Sequence, residues 1–198
     1  MSKLYFSYST MNAGKSTILL QASYNYIEQG MRTLLLTSSL YAEGDIGIIS
    51  SRIGISAAAD LFGADDDLFQ RVSDAMQSAK IDCVFVDEAQ FLTEAQAWQL
   101  ARVSDRLDIP VMCFGLRTDF QGKLFPGSAA LHAIADELRE VRTICHCGRK
   151  ATMVVRQSAE GGVLTEGDQV SIEKSVYVSL CRRHWEEEIG RWPTRRPG

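Results

Sequence analysis

A stretch that contains Gly14-Lys15-Ser16 constrains the fold of this chain more than any other part of its sequence. The apolar run over residues 4–8 before it is typical of a buried strand, and residues 18–22 after it are typical of a helix. A strand, a loop of small residues, Gly-Lys-Ser and a helix together form the phosphate-binding P-loop. The backbone N–H groups of such a loop and the helix N-terminus point at one place and favour an anion there.

The P-loop predicts separate roles for its polar residues. We expect Lys15 to reach the β- and γ-phosphates of a nucleotide and the Ser16 hydroxyl to coordinate Mg²⁺. The motif usually begins with glycine, but its first position here is Ser9, so an ordinary helix start with a solvated lysine is the competing interpretation. The residues of the predicted nucleotide-binding segment are Ser9, Thr10, Met11, Asn12, Ala13, Gly14, Lys15 and Ser16.

Composition limits the class of protein to which the chain belongs. Its 198 residues, of which 45% are hydrophobic, suffice for one main domain with a sizeable core and a small appendage. The net charge of −4 argues against nucleic acid as the main partner. The sequence has no apolar run near the ~20 residues of a membrane span and no signal-peptide pattern. We therefore expect a soluble cytoplasmic protein whose five cysteines form no structural disulfides.

Strands and helices alternate from the start of the chain to about residue 144, which predicts an α/β fold with a parallel sheet flanked by helices. Residues 38–63 contain four glycines and are interpreted as a loop, with a short helix near residues 57–61. Thr93 and Ser128 are the predicted N-caps of two helices. The predicted helices cover residues 15–29, 65–78, 93–106 and 128–138, and the predicted strands cover residues 4–8, 32–37, 81–86 and 109–115, with a last core strand beginning at residues 141–144.

Two adjacent carboxylates follow the predicted strand of residues 81–86. An apolar strand that ends in aspartate is the second signature of P-loop NTPases, in which the carboxylate helps to hold Mg²⁺. Because ligands of parallel sheets bind at the carboxyl ends of the strands, Asp87 is expected to face the P-loop. Glu88 is then placed to act as a general base on water or on an acceptor hydroxyl. A solvated acidic pair is the competing interpretation.

Four cysteine and histidine residues have the spacing of a metal site. Cys145 and Cys147 form one close pair, and Cys181 and His184 form a second pair after an intervening segment of 33 residues. Two such pairs supply the tetrahedral ligand set of zinc and leave no position for water, which predicts a structural zinc site. His146 is an alternative ligand, and buried thiols beside a surface histidine are the competing interpretation.

The domain organisation follows from a change of pattern at the first of these cysteines, where helical periodicity ends. A turn is predicted at Gly161-Gly162, and the elements expected around it are short strands over residues 151–156, 169–172 and 176–180 and a helix over residues 182–190. We predict three segments: a P-loop nucleotide-binding core over residues 1–144, a zinc subdomain over residues 145–191 and a disordered tail over residues 192–198.

Aromatic side chains near the predicted site are candidates for stacking on a base. Phe91 follows the acidic pair, and Phe120 follows the predicted strand of residues 109–115. Phe125 and Tyr177 complete the set. For each of them taken singly, packing in the core is the better interpretation, because most large aromatic side chains are buried for that reason.

Several strings taken together resemble the zinc-containing (type II) thymidine kinase family, and its bacterial branch most closely. They are residues 11–17, 86–91 and 115–120 and the cysteine and histidine set, and they occur in order over nearly the whole chain. The resemblance implies a RecA-like parallel-sheet core, a zinc subdomain with a lasso loop over the nucleoside, and a homotetramer. It also implies transfer of the γ-phosphoryl group of ATP, with Mg²⁺, to the 5′-hydroxyl of thymidine and of deoxyuridine.

The same resemblance implies roles for single residues. Glu88 matches the catalytic base of the family, and Lys15 and Ser16 match its phosphate and Mg²⁺ ligands. Asp87 matches the acidic metal partner, and Gln90 belongs to the same nucleotide-binding string. The positions that match the thymine pocket and the lasso segment are Met11, Phe91, Leu116, Phe120, Val170, Ile172 and Tyr177.

The chain departs from the resemblance after the second predicted strand. Relatives often carry an Asp-x-Arg string there, where this chain has Tyr41-Ala42-Glu43. A nucleotide-binding regulator without catalysis is one alternative function that this departure would fit. The other is a P-loop ATPase switch whose zinc module binds a protein or DNA partner. The acidic net charge and the absence of a basic-aromatic stripe from the sequence of the appendage argue against it.

Overall fold

The computed structural model describes residues 1–41, 46–158, 160–169 and 176–191. Within these ranges, one sheet contains the strands β1 (Leu4–Ser9), β2 (Thr33–Ser38), β3 (Gly47–Ser50), β4 (Ser56–Phe62), β5 (Cys83–Val86), β6 (Val111–Leu116) and β7 (Glu137–Glu140). Their order across the sheet is β3-β4-β2-β5-β6-β1-β7. Neighbouring strands are parallel, except that β3 runs antiparallel to β4.

Helices cover both faces of this sheet. They are α1 (Lys15–Glu28), α2 (Leu68–Ser78), α3 (Glu94–Leu107) and α4 (Pro126–Ile134). Because side chains alternate along a strand, Cys83 and Phe85 of β5 pack toward α1, whereas Val84 and Val86 pack toward α2, α3 and α4. The predicted α/β fold, a parallel sheet flanked by helices, is confirmed. Among the described residues, no helix is long and apolar enough to cross a membrane.

The hairpin of β3 and β4 shows that the prediction of a loop over residues 38–63 was wrong. β4 pairs parallel with β2 on one side and antiparallel with β3 on the other. Its alanine run, residues 57–59, suggested a short helix, but pairing with two neighbours decides its conformation. Ala59 and Ile49 pack in the core cluster that also contains residues of α1. Residues 42–45 lie outside the described part of the chain, and with them most of the Tyr41-Ala42-Glu43 departure.

The two predicted helix caps have different outcomes. Thr93 is the N-cap of α3 as predicted, because its side chain accepts a hydrogen bond from Gln96 N and the Gln96 side chain accepts one from Thr93 N. Ser128 lies inside α4, which begins at Pro126, a residue suited to the first helical position. The Ser128 hydroxyl instead donates to the carbonyl of Leu116 at the end of β6.

The chain after α4 reaches the sheet edge earlier than predicted. The helix ends at Ile134, so that its predicted extent to residue 138 is wrong, and β7 then pairs with β1. The core strand predicted to begin at residues 141–144 is also wrong, because Thr143–Ile144 pairs with Lys150–Ala151 in a separate small hairpin. These two short strands are β8 and β9, and the cysteine pair predicted to bind metal lies between them.

A second, antiparallel sheet forms the C-terminal part of the chain. It contains β10 (Met153–Gln157), β11 (Val163–Leu164) and β12 (Val176–Leu180) in the order β11-β10-β12, and α5 (Arg182–Glu188) follows it. The predicted turn at Gly161-Gly162 is confirmed, and Gly161 has φ +86°. The predicted strand over residues 169–172 and the predicted tail over residues 192–198 fall wholly or mostly outside the described residues.

The side chain of Trp185 ties this second sheet to the main one. Its indole N–H lies 3.1 Å from the carbonyl oxygen of Phe120 and 3.0 Å from that of Val154. The guanidinium of Arg117 donates across the same junction to the carbonyl of Thr152 at 2.8 Å. These contacts fix the C-terminal strands beside the carboxyl ends of β1, β5 and β6, where a ligand of a parallel sheet is expected to bind.

Candidate active site

The P-loop connects β1 to α1 and forms the floor of a cavity of about 320 Å³. Asn12 and Gly14 have positive φ angles of 62° and 83°, and left-handed residues within such a loop are typical of backbone concavities that bind anions. Arg52, in the turn between β3 and β4, lies on the wall of the cavity. The lining residues are Met11, Asn12, Ala13, Gly14, Lys15, Ser16, Thr17, Ser50, Ser51, Arg52, Ile53, Glu88 and Leu116.

Lys15 is the first residue of α1 and lies within this cavity. Its ammonium group donates to the carbonyl of Thr10, the second residue of the predicted phosphate-binding segment, at 2.8 Å. Burial lowers the pKa of Lys15, and the carboxylates of Glu88 and Asp87 oppose that shift. A cation that faces two carboxylates beside a loop of N–H groups is suited to hold the phosphates of a nucleotide.

Ser16 and Asp87 meet at the carboxyl end of β5. The Ser16 hydroxyl donates to Oδ2 of Asp87 at 3.0 Å. Burial, followed by the nearby charge of Glu88, raises the pKa of Asp87 to about 6. A hydroxyl and a carboxylate are the oxygen ligands that Mg²⁺ prefers, and these two residues therefore fit the predicted magnesium site.

Glu88 lies directly after β5 in a strained conformation. Its φ of 53° and ψ of 35° place it in the left-handed region, which costs a residue with a side chain about 1–3 kcal/mol. Such strain persists only where the surroundings hold it, and it is concentrated at functional sites. The carboxylate lines the cavity together with Lys15, and its Oε2 accepts a hydrogen bond from Nε2 of Gln90.

Gln90 links the ends of two neighbouring strands. It is 1% exposed, its amide N–H₂ holds Glu88 after β5, and its Oε1 accepts the backbone N–H of Leu116 at the end of β6 at 3.0 Å. Sequence analysis predicted that Gln90 binds the nucleotide. The hydrogen bonds of its side chain are with Glu88 and Leu116, and it is not among the residues that line the cavity over the P-loop.

The residues predicted to bind the nucleoside lie in different surroundings. Met11 and Leu116 line the cavity beside Glu88. The ring of Phe91 packs edge-on against that of Phe125, with centroids 5.9 Å apart. Tyr177 is the second residue of β12, and its carbonyl lies 3.5 Å from Nδ2 of the P-loop residue Asn12. Val170 and Ile172 lie outside the described residues.

Phe120 is packed between the two sheets. It is 2% exposed, and the guanidinium carbon of Arg156 lies 4.2 Å from the centroid of its ring. Its carbonyl accepts a hydrogen bond from the indole of Trp185. Phe120 is therefore packed in the core, as the sequence predicts for most aromatic side chains. Its contact with a nucleoside stays a prediction.

The four cysteine and histidine residues predicted to bind zinc form one cluster. Tetrahedral zinc bonds of about 2.0–2.3 Å require ligand atoms roughly 3.4–3.8 Å apart. In the structure Nδ1 of His184 lies 3.3 Å from Sγ of Cys145 and 3.6 Å from Sγ of Cys181, and Cys147 Sγ lies 3.9 Å from Cys181 Sγ. All four ligand atoms lie within 4.8 Å of one another. His146 stacks on the His184 ring, with centroids 4.3 Å apart, and is not part of this set.

The comparison with known proteins identifies the family. A sequence model described as thymidine kinase matches residues 2–185 of the chain. The chain belongs to the thymidine kinase family. A thymidine kinase of Mesorhizobium japonicum is 68% identical over 191 residues, which are 96% of this chain and 94% of the relative. A thymidine kinase of Ruegeria pomeroyi is 62% identical over 191 residues, which are 96% of each chain. A thymidine kinase of Photobacterium profundum is 51% identical over 192 residues, which are 96% of this chain and 100% of the relative.

Membership of the thymidine kinase family confirms the resemblance found in the sequence, including its bacterial branch. The Cys145, Cys147, Cys181 and His184 set forms a cluster compatible with the predicted structural zinc. The P-loop and the acidic residues after β5 lie at one edge of the sheet, as a nucleoside kinase needs, because phosphoryl transfer depends on positioning and charge neutralisation.

A polar network that the sequence does not signal lies beside the site. The buried carboxylate of Asp119 accepts backbone N–H groups of Gln121 and Lys123 through Oδ1, and its Oδ2 accepts Nε2 of Gln169 at 2.9 Å. Arg156 donates to the carbonyl of Asp168 at 3.0 Å. The network joins the loop after β6 to the chain that leads toward the predicted lasso. No local pattern signals it, because its partners are up to 50 residues apart.

Replacing Gln90 by leucine tests whether it holds Glu88. The substitution leaves the partly buried N–H of Leu116 without its acceptor, which costs about 1–3 kcal/mol, and releases the Glu88 carboxylate. We expect a lower melting temperature and a kcat for phosphoryl transfer that falls at least about tenfold. The matched control is Gln96→Leu, because Gln96 is equally buried and hydrogen-bonded but has no contact with Glu88. Equal losses of kcat in both variants would contradict this role.

Replacing Gly127 by alanine tests the packing of α4 against the turn that carries Glu88. A Cβ atom at Gly127 would lie 2.5 Å from the carbonyl oxygen of Ala89 and 2.7 Å from that of Leu92. Because both obstacles are backbone atoms, we expect a loss of about 1–3 kcal/mol of unfolding free energy, or roughly 2–12 °C in melting temperature. Gly162→Ala is the control, since its Cβ would meet only the Ser158 hydroxyl at 3.5 Å. A Gly127→Ala variant as stable as this control would refute the argument.

Proposed function

We propose that the chain transfers the γ-phosphoryl group of ATP to the 5′-hydroxyl of thymidine, and of deoxyuridine, to give the nucleoside monophosphate and ADP. This is the salvage reaction that returns a free nucleoside to DNA synthesis. Its main support is the convergence of Lys15, Ser16 and Glu88 at one cavity of a thymidine kinase family chain, with Asp87 held beside it by its hydrogen bond from Ser16.

We assign the nucleotide-binding roles as follows. The N–H groups of residues 10–16 and the ammonium of Lys15 hold the phosphates, with Ser9 at the end of β1 starting the loop. Ser16 and Asp87 hold Mg²⁺, which neutralises charge on the phosphate oxygens when it is bound. The contact between Lys15 and the Thr10 carbonyl shows that the ammonium is already directed along the loop.

Glu88 is assigned as the catalytic base. It accepts the proton of the 5′-hydroxyl as the oxygen attacks the γ-phosphorus. The P–O bond to the β-phosphate breaks, and its electrons leave with ADP. Its left-handed backbone and the hydrogen bond from Gln90 hold the carboxylate at the cavity wall. Gln90 thereby contributes to the site through Glu88, beside its predicted place in the nucleotide-binding string.

The nucleoside is assigned to the side of the cavity away from α1. Met11 and Leu116 provide apolar surface there, and Phe91 lies on the turn that carries Glu88. The further predicted contacts are those of Phe120, Val170, Ile172 and Tyr177. Val170 to Ile172 and Tyr177 match the lasso segment of the family, and a lasso that reads the base edge through its backbone would suit a pyrimidine and would exclude water from the reaction.

The zinc is assigned a structural role. The four side chains of the cluster would supply the full ligand set of a structural zinc, which would join the β8–β9 hairpin to the start of α5. The zinc subdomain is proposed to span residues 145–191 and the nucleotide-binding core residues 1–144. Trp185 and Arg117 are among the residues that form contacts between these two segments.

We further propose a cytoplasmic homotetramer that acts on a free nucleoside and not on nucleic acid. The support for self-association is an apolar groove of about 350 Å³ between α1 and β4, beside the exposed side chains of Tyr24, Ile27 and Ile55. Contiguous exposed apolar surface is typical of protein contacts. The net charge of −4 supports a small-molecule acceptor.

The test is ATP-dependent phosphorylation with Mg²⁺ across the four common deoxynucleosides and deoxyuridine, beside a reaction without nucleoside. We expect product from thymidine and deoxyuridine only. Product from purine deoxynucleosides would contradict the proposed selectivity. ATP loss without a phosphorylated nucleoside would support the P-loop ATPase switch in its place.

A further inference from the structure

Two residues of β12 contact the P-loop from the C-terminal sheet. The Ser179 hydroxyl donates to the carbonyl of Met11 at 2.6 Å, although the two residues are 168 positions apart in the chain. Two residues earlier, the carbonyl of Tyr177 lies 3.5 Å from Nδ2 of Asn12. β12 is an outer strand in the order β11-β10-β12, so both contacts come from one edge of that sheet.

The Ser179 contact restrains a part of the P-loop that has to keep its carbonyls away from a phosphate. Thr10 and Met11 are consecutive residues, and their carbonyls are engaged by Lys15 and by Ser179 respectively. A carbonyl that turned toward the cavity would oppose an anion, whereas N–H groups favour it. A lysine that moves to the nucleotide phosphates gives up the Thr10 carbonyl. The Met11 carbonyl then keeps its 2.6 Å bond from Ser179, which is much shorter than its 3.4 Å bond from the Thr10 hydroxyl.

β12 is rigid enough to act as such a support. Ser179 pairs with Val154 of β10, and the neighbouring Leu180 is 2% exposed in the small core of the C-terminal sheet. Cys181, two residues beyond Ser179, belongs to the metal-type cluster. The hydroxyl therefore lies on a strand fixed both by sheet pairing and by its closeness to the zinc site.

We infer that Ser179 is a positioning residue that holds the P-loop in its nucleotide-binding shape, through its hydrogen bond to the Met11 carbonyl. The inference rests on the proposed function, because it concerns the ATP site of that reaction. It gives the C-terminal sheet a direct part in ATP binding, besides its proposed contacts with the nucleoside.

The experiment compares Ser179→Ala with Ser179→Thr, which keeps a hydroxyl, and with Ser158→Ala. Ser158 is the matched control because its side chain accepts only the local N–H of Gly162, at 3.2 Å, among the hydrogen bonds of the described residues. Binding of ADP with Mg²⁺ is measured by calorimetry without nucleoside, and KM values for ATP and thymidine are measured separately. Zinc content and melting temperature report whether each variant is folded.

We expect Ser179→Ala to weaken ADP binding roughly three- to tenfold and to raise the KM for ATP by a similar factor. The KM for thymidine should rise by a smaller factor, because Met11 also lines the side of the cavity assigned to the nucleoside. Ser179→Thr and Ser158→Ala should bind ADP like the unchanged protein. Wild-type ADP affinity in a folded Ser179→Ala, or equal losses in the alanine and threonine variants, would overturn the inference.

The binding measurement also separates this inference from the proposed reaction. ADP affinity does not depend on which nucleoside is phosphorylated, so a failure of thymidine as acceptor leaves the Ser179 result readable. If Ser179→Ala does not fold, Ser179→Cys supplies a side chain of similar size with a weaker donor. It is expected to bind ADP more weakly than the threonine variant, and equal affinities of the two would overturn the inference.

Discussion

Replacing Glu88 by glutamine is expected to lower kcat for thymidine phosphorylation by about 10²–10⁴-fold, because the amide cannot accept the proton of the attacking hydroxyl. The fold and ADP binding should persist, since the glutamine oxygen still accepts the hydrogen bond from Gln90 and the left-handed backbone is unchanged. Steady-state kinetics with ATP and thymidine measure the first effect, and calorimetry with ADP measures the second.

The control for this substitution is Glu94→Gln. Glu94 is an exposed carboxylate in the first turn of α3, six residues beyond Glu88, and it should give an unchanged kcat. A kcat for Glu88→Gln close to that of the unchanged protein would remove Glu88 from the role of base. Equal losses in kcat and in ADP affinity would instead indicate that the glutamine disturbs the P-loop.

Loss of the metal is expected to have the largest effect on stability. Structural zinc contributes about 10–16 kcal/mol to the folding of isolated zinc-finger peptides. We expect Cys181→Ser to abolish zinc binding and to lower the melting temperature by roughly 10 °C or more. The main sheet should remain folded, because it has its own core. Native mass spectrometry should show about one zinc per chain before the substitution and none after it.

His146→Ala is the matched control for the zinc experiment. His146 stacks on the ligand His184 but is not one of the four clustered residues, so this variant should retain its zinc. A protein that folds fully and melts at the same temperature without metal would refute the structural zinc site. Zinc loss in His146→Ala with retention in Cys181→Ser would assign His146 as the ligand instead.

Much of the fold could be predicted because its signals are local. The apolar run of β1, the small residues of the P-loop and the start of α1 are adjacent in sequence, and the alternation of strands and helices then predicts a parallel sheet. The hairpin of β3 and β4 could not be predicted in this way. The alanine run of β4 has no strand signal of its own, and its pairing with β2 and β3 decides its conformation.

In the candidate site, too, the features with a local sequence pattern could be predicted and the contacts between distant residues could not. The residues of the P-loop, the Asp87-Glu88 pair and the zinc-type pairs each carry a local spacing, which sequence reasoning can recognise. The hydrogen bonds that support them join distant parts of the chain, such as Ser179 to Met11 and Gln90 to Leu116. A single sequence contains no signal for these pairs, because the serine and glutamine side chains could equally well form hydrogen bonds with water on the surface.

The identity of the phosphorylated product tests the central claim most directly. A reaction of the purified chain with ATP, Mg²⁺ and thymidine is followed by phosphorus NMR and mass spectrometry. We predict thymidine 5′-monophosphate and ADP in equal amounts, with no phosphate on the 3′-hydroxyl and little inorganic phosphate. ADP and inorganic phosphate without a thymidine monophosphate would contradict the account.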